Sequence, residues 1–319
     1  MTDITKTQEY IELKQKFDTY YQTTLQPILE QSNRVRRRYN LSFAILIVMG
    51  AVLYPALIMK FFSGEISHTY LGLVLTVSCL VIMLLCGPLY YYKKKVKPQI
   101  MPDFANFFGN FSYVYEGKIS DTILRQSDLF GAYTQNVGDD YFVGVYDEVR
   151  VTVAEEKLLS IKKDFRNFDI KNKVFGGVCV LLEMNKNFYG RTVVLKDRGA
   201  IGNALNKVKG LQNVRLEDSR FEKVFEVYSD DQIEARYLLT TAFMERMLHL
   251  RDLYNGKSIQ FSFNENTLLI SIPTKQNMFE ANSFFGPNTD KKRIDLVFEQ
   301  FYTIFSIIKL LKLNQRIGM

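Results

Sequence analysis

The sequence predicts an α+β domain, made of antiparallel hairpins followed by helices and a C-terminal helix, attached to a two-helix transmembrane hairpin. Two apolar runs longer than 20 residues predict the membrane helices. Alternating strands joined by turn residues, and then a helical apolar period, predict the domain. Because strands mostly precede helices, an α+β domain is favoured over a doubly wound sheet. The chain has 319 residues, 47% of them apolar, which excludes a disordered or collagen-like protein.

The segment before the membrane, residues 1–40, is polar but carries apolar side chains every three or four positions. This spacing predicts an amphipathic helix, kinked near Pro27. Such a stripe needs a covering surface, which is either the chain's own cytoplasmic domain, another copy, or a different protein. The stripe is formed by Tyr10, Leu13, Phe17, Tyr20 or Tyr21, Leu25 and Ile28.

The two apolar runs, residues 41–62 and 69–92, are each long enough to cross a bilayer as a helix. The first contains one charge, Lys60, close enough to its end to reach the headgroups, and the second contains none. Because the external link, residues 63–68, is so short, the two helices are expected to form a tight antiparallel hairpin. No cleavable signal peptide is indicated, so the first run is read as an uncleaved anchor.

Basic residues flank the two runs on one side only, which predicts that both termini lie in the cytoplasm. The short link contains no Lys or Arg. Tyrosines beside the second basic cluster are typical of an interfacial aromatic belt, and the basic side chains should attract anionic lipid headgroups. The predicted interface anchors are Arg34, Arg36, Arg37, Arg38, Tyr90, Tyr91, Tyr92, Lys93, Lys94, Lys95 and Lys97.

The cytoplasmic domain, residues 98–319, is expected to contain three hairpins. The first turns at Asp147-Glu148, the second joins strands 174–184 and 191–197, and the third turns at 264–266.

Helical patterns occupy the later part of this domain. Ser229 and Gln232 fit a capping box at the start of a helical stretch, which is either two short helices or one helix interrupted at Thr240-Thr241. A final helix is expected over residues 289–313.

No catalytic, cofactor or metal site is predicted. Cys179 lies in an apolar strand and is read as core, and His249 is read as structural because no nucleophile motif accompanies it. Asp139 and Asp140 should point to opposite faces of a strand, which argues against an acid pair. From residue 98 onward, 29 Lys and Arg stand against 28 Asp and Glu, so no nucleic-acid partner is expected.

The stretches GRTVVLKD, residues 190–197, and VYSDDQIEARYLLTTAFMERM, residues 227–247, resemble a bacterial family catalogued as domain of unknown function 3137. The resemblance covers residues 139–313. It implies a membrane-anchored protein of the bacterial inner membrane and supplies no activity.

The sequence therefore favours a non-enzymatic, membrane-tethered interaction or regulatory module, partnered by the lipid bilayer and, through the N-terminal segment, by another protein or a second copy. The alternative is an enzyme that acts on a lipid or membrane-proximal substrate with carboxylates and a divalent metal. A pocket in which several carboxylates converge would favour the alternative.

Overall fold

The computed structural model describes residues 8–63, 68–184, 187–197, 208, 210–254 and 258–311. The chain divides into two compact units. One unit comprises Met1–Lys16, Phe104–Phe279 and Leu296–Met319, and the other comprises Phe17–Asp103 and Glu280–Asp295. Most of the predicted link 63–68, part of the loop 185–190 and the residues after 311 lie outside the described set.

The N-terminal region is helical from Gln8 onward. Helix α1 (Gln8–Tyr20) passes through a π-helical turn (Tyr21–Leu25) into helix α2 (Gln26–Phe62). The irregularity expected near Pro27 is this π-helical turn, which ends two residues before the proline, in a helix that otherwise continues through it. Within the described ranges, one helix, Gln8–Lys60, is long and apolar enough to cross a membrane, and none of its apolar window is buried.

Helix α3 (His68–Asn106) contains the second apolar run. Of the two predicted membrane helices, only the first is confirmed as a candidate span. Most side chains of residues 68–91 lie outside the described set. The hydroxyl groups of Tyr54 on α2 and Ser78 on α3 form a hydrogen bond.

In the smaller unit, the side chain of Asn288 connects three segments of the chain. Its Oδ1 accepts from the Tyr92 hydroxyl at 2.9 Å, and its Nδ2 donates to Ser32 Oγ at 2.7 Å. Its backbone N–H donates to Asn33 Oδ1 at 3.0 Å. Asn288 and Tyr92 are fully buried. These bonds tie α2 and α3 to the loop before the last helix.

The same loop holds a partly buried ion pair. Lys97 Nζ, on a side chain only 1% exposed, lies 3.1 Å from Glu280 Oε1, and Lys93 also reaches Glu280. Burial alone would raise the pKa of the Glu280 carboxyl, but the two ammonium groups hold that pKa below its usual value.

The larger unit is built on a nine-stranded antiparallel sheet with the order β1-β2-β3-β4-β9-β8-β5-β7-β6. The strands are β1 (Asn110–Tyr115), β2 (Gln135–Tyr146), β3 (Val149–Lys163), β4 (Asp169–Glu183), β5 (Arg191–Lys196), β6 (Gln212–Val214), β7 (Phe225–Ser229), β8 (Gln260–Asn264) and β9 (Thr267–Pro273). The predicted α+β class with antiparallel hairpins is confirmed.

Two of the three predicted hairpins are confirmed. Asp147 and Glu148 both have positive φ in the β2–β3 turn, and Glu265 has positive φ in the β8–β9 turn. The predicted pairing of residues 174–184 with 191–197 is wrong. Strand β4 pairs with β3 and β9, and β5 pairs with β7 and β8. The β8–β9 hairpin inserts between β4 and β5, so each of these buried strands gains two neighbours.

Helices cover both faces of this sheet. On one face, the segment with helix α4 (Asp121–Gln126) packs Ile119, Leu124 and Tyr133 onto Ala154 and Cys179. On the other, the last helix, α8 (Lys291–Leu311), stacks Phe305 on Tyr146 and sets Phe301 against Phe142. Cys179 is fully buried as predicted, and burial raises the pKa of its thiol.

The remaining helices are α5 (Ser219–Glu222), α6 (Gln232–Leu238) and α7 (Thr241–Leu253). The predicted division at Thr240 is confirmed, since the Thr240 hydroxyl caps α7. The cap of α6 differs from the prediction: Asp231, not Ser229, accepts from the first backbone N–H groups. His249 is exposed on α7.

Part of the N-terminal stripe packs on the chain itself. Within the larger unit, the Tyr10 ring of α1 makes an edge contact with Tyr302 of α8 at 5.0 Å, and Glu9 pairs with Lys309. At this end of α1, the stripe is thus covered by the protein's own C-terminal helix.

We expect Asn288→Ala to lower the free energy of unfolding by several kcal/mol, because each buried polar group left without a partner costs about 1–3 kcal/mol. Denaturant unfolding of the full chain in detergent measures this change. Asn172→Ala, at an exposed position of β4, is the matched control. Equal effects of the two substitutions would contradict the connecting role of Asn288.

Candidate functional site

A β-bulge in β2 brings three carboxylates together. Gly138 pairs with Glu156 and Tyr141 pairs with Ala154, so Asp139 and Asp140 together stand opposite the single residue Glu155. One carboxylate oxygen from each of Asp139, Asp140 and Glu155 lies within 4.8 Å of the others. The expectation that the two aspartates point to opposite faces is wrong here, because the extra residue breaks the alternation of the strand.

The sequence contained one signal for this bulge. A glycine inside a strand often marks a bulge or a close backbone approach, and Gly138 immediately precedes the two aspartates. A Cβ at Gly138 would lie 2.0 Å from the carbonyl oxygen of Gly117. The backbone therefore approaches too closely there for any other residue.

Each carboxylate is held by a hydrogen-bond donor. The Tyr113 hydroxyl donates to Asp140 Oδ1 at 2.8 Å, and the backbone N–H of Met278 donates to Glu155 Oε2 at 3.0 Å. Asn277 Nδ2 donates to Asp139 Oδ2 at 3.3 Å. Burial and the adjacent Asp140 raise the pKa of Tyr113 far above its usual value, so its hydroxyl remains a donor.

The arrangement suits a hard divalent cation. Asp140 is fully buried and Glu155 is 8% exposed, and carboxylates this close repel each other unless a proton or a cation lies between them. Ca²⁺ binds oxygen at about 2.3–2.6 Å, so two of its ligands can be as much as about 5 Å apart, whereas Mg²⁺, at about 2.0–2.1 Å, requires oxygens no more than about 4 Å apart. An all-oxygen donor set is typical of Mg²⁺, Ca²⁺ or Mn²⁺.

A cavity of about 330 Å³ opens beside the cluster. Asp139 and Glu155 line it together with the lysines Lys157, Lys173 and Lys275. This volume is at the lower end of small-molecule sites. Carboxylates and ammonium groups facing one cavity are suited to a small polar ligand that carries negative charge next to a metal ion.

Glu156, the neighbour of Glu155, is 1% exposed. Its Oε1 accepts from the backbone N–H of Ile119 at 2.6 Å, while its Oε2 has no hydrogen-bond partner among the described atoms. Asn136 Oδ1 is likewise buried without a partner. Burial raises the pKa of Glu156 to about 7, against the opposing effects of the Ile119 N–H and Lys118.

Because the pKa of Glu156 is raised in the folded state, its contribution to stability is present below the ordinary value of 4.5 and is lost as the pH rises through about 7. At pH 8 we expect Glu156→Gln to exceed the wild type in free energy of unfolding by up to about 3 kcal/mol, and therefore to unfold at a higher temperature. This difference in stability between Glu156→Gln and the wild type should decrease as the pH is lowered toward 4.5.

Thermal unfolding at both pH values measures the difference, with Glu245→Gln at an exposed position of α7 as the control. A stability difference that does not change with pH would contradict the shifted pKa of Glu156.

The predicted membrane-interface residues occupy two kinds of environment. Arg34, Arg37, Arg38, Tyr90, Lys93, Lys94 and Lys95 are exposed, and Arg36 is half-buried and donates to Asn33. The side chain of Tyr91 lies outside the described set. Tyr92 and Lys97 are buried, and their polar groups bind Asn288 and Glu280 of the chain itself.

Comparison with known proteins gives little functional information. No curated protein matches the sequence. The structure of the mycobacterial trehalose monomycolate transport factor A, TtfA, aligns with 68% of this chain and 96% of its own, at 12% identity and a TM-score of 0.37. At that score the likeness supports no statement about fold or function. Residues 173–313 match the model of the family described as "Protein of unknown function (DUF3137)", which confirms the resemblance found in the sequence.

Proposed function

We propose that the chain is a non-enzymatic membrane-tethered interaction or regulatory module whose α+β unit works at the bilayer surface. The observation that carries this proposal is the helix Gln8–Lys60, whose apolar stretch of 18 residues is not buried by the protein. An apolar helix face of this length, left uncovered by protein, is stable when lipid surrounds it.

The finer form of the proposal has two spans, residues 41–62 and 69–92, in the bacterial inner membrane, with both termini in the cytoplasm. The bond between the Tyr54 and Ser78 hydroxyls supports antiparallel packing of α2 and α3, since the two residues lie at similar distances along the chain from the link. The exposed basic residues at the outer ends of the two runs support the orientation.

The protein partner in this proposal uses a surface other than the start of the N-terminal stripe. The Tyr10 ring contacts the Tyr302 ring of the same unit, and Phe17 is fully buried. Partner contacts would therefore involve exposed residues of the α+β unit, or displacement of α1 from α8.

We expect a reporter that is active only outside the cytoplasm to be silent when fused after Met319 and active when inserted after Ser63. Substituting Arg34, Arg36, Arg37 and Arg38 with Asn should weaken this orientation, because these residues supply half of the flanking positive charge. Activity of the wild-type fusion after Met319 would overturn the two-span topology. Extraction of the protein by alkaline carbonate would overturn the membrane anchor itself.

The second candidate is an enzyme that acts on a lipid or membrane-proximal substrate with carboxylates and a divalent metal. It is favoured by the convergence of Asp139, Asp140 and Glu155 beside a cavity. In this candidate the three carboxylates bind the ion, and the lysines of the cavity bind the negatively charged group of the substrate.

We expect Mn²⁺ or Ca²⁺ to raise the unfolding temperature of the full chain in detergent, because an ion that binds only the folded state stabilises it. Asp139→Asn and Glu155→Gln should abolish the increase. Asp147→Asn, in the β2–β3 turn, should retain it and serves as the control. An increase that is the same in all four proteins would exclude a metal at this cluster.

A further inference from the structure

The β3–β4 hairpin extends beyond the rest of the sheet. Strand β2 pairs with β3 only as far as Leu159, and β9 pairs with β4 only as far as Gly177. Immediately before β2, the Thr134 hydroxyl accepts from the Ile161 N–H at 2.8 Å. Beyond it, residues 162–171, called here the ribbon tip, form a two-stranded ribbon in which Lys162 pairs with Ile170 and Lys163 with Asp169.

The ribbon tip exposes aromatic side chains that no described part of the chain covers. Phe165 is 90% exposed, Phe168 is 68% exposed and Ile170 is 48% exposed. These three exposed apolar side chains lie within six consecutive residues at the end of one protruding ribbon. Scattered apolar residues are ordinary on protein surfaces, but grouped ones mark contact sites.

The turn presents these rings in a fixed way. Asp164 Oδ1 accepts from the backbone N–H groups of Arg166 and Phe168, both at 2.8 Å, and Asp164 N–H donates to the carbonyl of Phe168 at 2.9 Å. Asn167 adopts positive φ, which asparagine tolerates. The Asp164 carboxylate is thereby engaged within the turn, and the rings of Phe165 and Phe168 are left facing outward.

Positive charge surrounds the rings. The ribbon tip has four basic side chains, Lys162, Lys163, Arg166 and Lys171, and two aspartates, one of them the turn residue Asp164. The Arg166 guanidinium lies 5.1 Å from the centre of the Phe165 ring. Aromatic rings with Lys and Arg around them are the composition of protein segments that sit at the headgroup level of a bilayer.

We propose that the ribbon tip docks on an anionic lipid surface, with Phe165 and Phe168 entering the headgroup region and the four basic side chains contacting lipid phosphates. Lysine is depleted from protein–protein interfaces, so the composition of the tip favours a lipid surface over a protein partner. The near balance of charge in the domain as a whole disfavours nucleic acid. This inference uses the proposed membrane anchor only to keep a bilayer within reach of the tip.

The absence of tryptophan from the chain provides a direct test. Phe165→Trp places a single indole at the ribbon tip, where an exposed ring can be replaced without altering the packing. Tyr189→Trp is the matched control, since Tyr189 is 73% exposed and lies beyond the opposite end of β4. Both full-length variants are reconstituted into vesicles of phosphatidylcholine alone or with phosphatidylglycerol, with or without bromine-labelled acyl chains.

We expect the indole at position 165 to show blue-shifted emission, and quenching by brominated lipid, in the phosphatidylglycerol vesicles, and the indole at position 189 to show neither. Replacing Lys162, Lys163 and Lys171 with Gln in the Phe165→Trp background should weaken insertion by up to about 100-fold, and raising the salt concentration should act in the same direction.

Three outcomes would overturn the proposal: no quenching of the indole at position 165, equal quenching of both indoles, or equal quenching in vesicles without anionic lipid. A blue shift that requires added single-stranded RNA or another protein would assign the ribbon tip to that ligand instead. Alkaline carbonate extraction of the same variants reports the anchor separately, so a failure of the membrane anchor is distinguishable from a failure of the tip.

Discussion

The pairing of β4 with β9 is the constraint on which the larger unit depends. It joins β1–β4 to the other five strands, which follow them in the chain, and therefore makes one sheet from two sets of strands. Seven residue pairs, from Gly177 with Pro273 to Glu183 with Thr267, form this junction. Gly177 is required there, because a Cβ would lie 2.2 Å from the carbonyl oxygen of Ile272. The β4–β9 pairing can therefore begin at Gly177 only because a glycine allows the two backbones to approach this closely.

The same pairing assembles the candidate site. Beyond β9, the backbone N–H of Thr274 donates to the carbonyl of Gly176 at 3.0 Å, which guides the chain toward the bulge of β2. Asn277 and Met278 then reach Asp139 and Glu155. The carboxylates come from one hairpin and two of their hydrogen-bond donors come from a segment more than 100 residues later. The position of the carboxylates therefore depends on the tertiary contact as well as on the bulge.

The carboxylate cluster and the ribbon tip lie at different places along the β3–β4 hairpin. The bulge and its cavity lie in the part of β3 that neighbouring strands cover, where a buried carboxylate cluster can be held rigid. The ribbon tip lies in the part that extends past those neighbours, where aromatic and basic side chains are accessible. A regulatory module and an ion-binding site can thus coexist in this domain without competing for the same residues.

Local signals in the sequence were sufficient for much of the architecture. The turns at Asp147-Glu148 and Glu265, the division before α7 and the burial of Cys179 follow from turn chemistry, capping and apolar runs, which involve residues close together in the chain. The candidate site was not predicted, because regular alternation placed Asp139 and Asp140 on opposite faces. Gly138 was the one local indication of the bulge.

What the sequence by itself determined is therefore many of the strands, turns and helices, the apolar helix able to cross a membrane and the family resemblance. Only the tertiary structure decided which strands are neighbours, that Tyr92 and Lys97 are buried against the loop at Asn288 and Glu280, and that three carboxylates converge. The physical reason is that helices and turns are stabilised within a few residues. Strand partners, bulges and buried polar contacts depend on segments that folding brings together from distant parts of the chain.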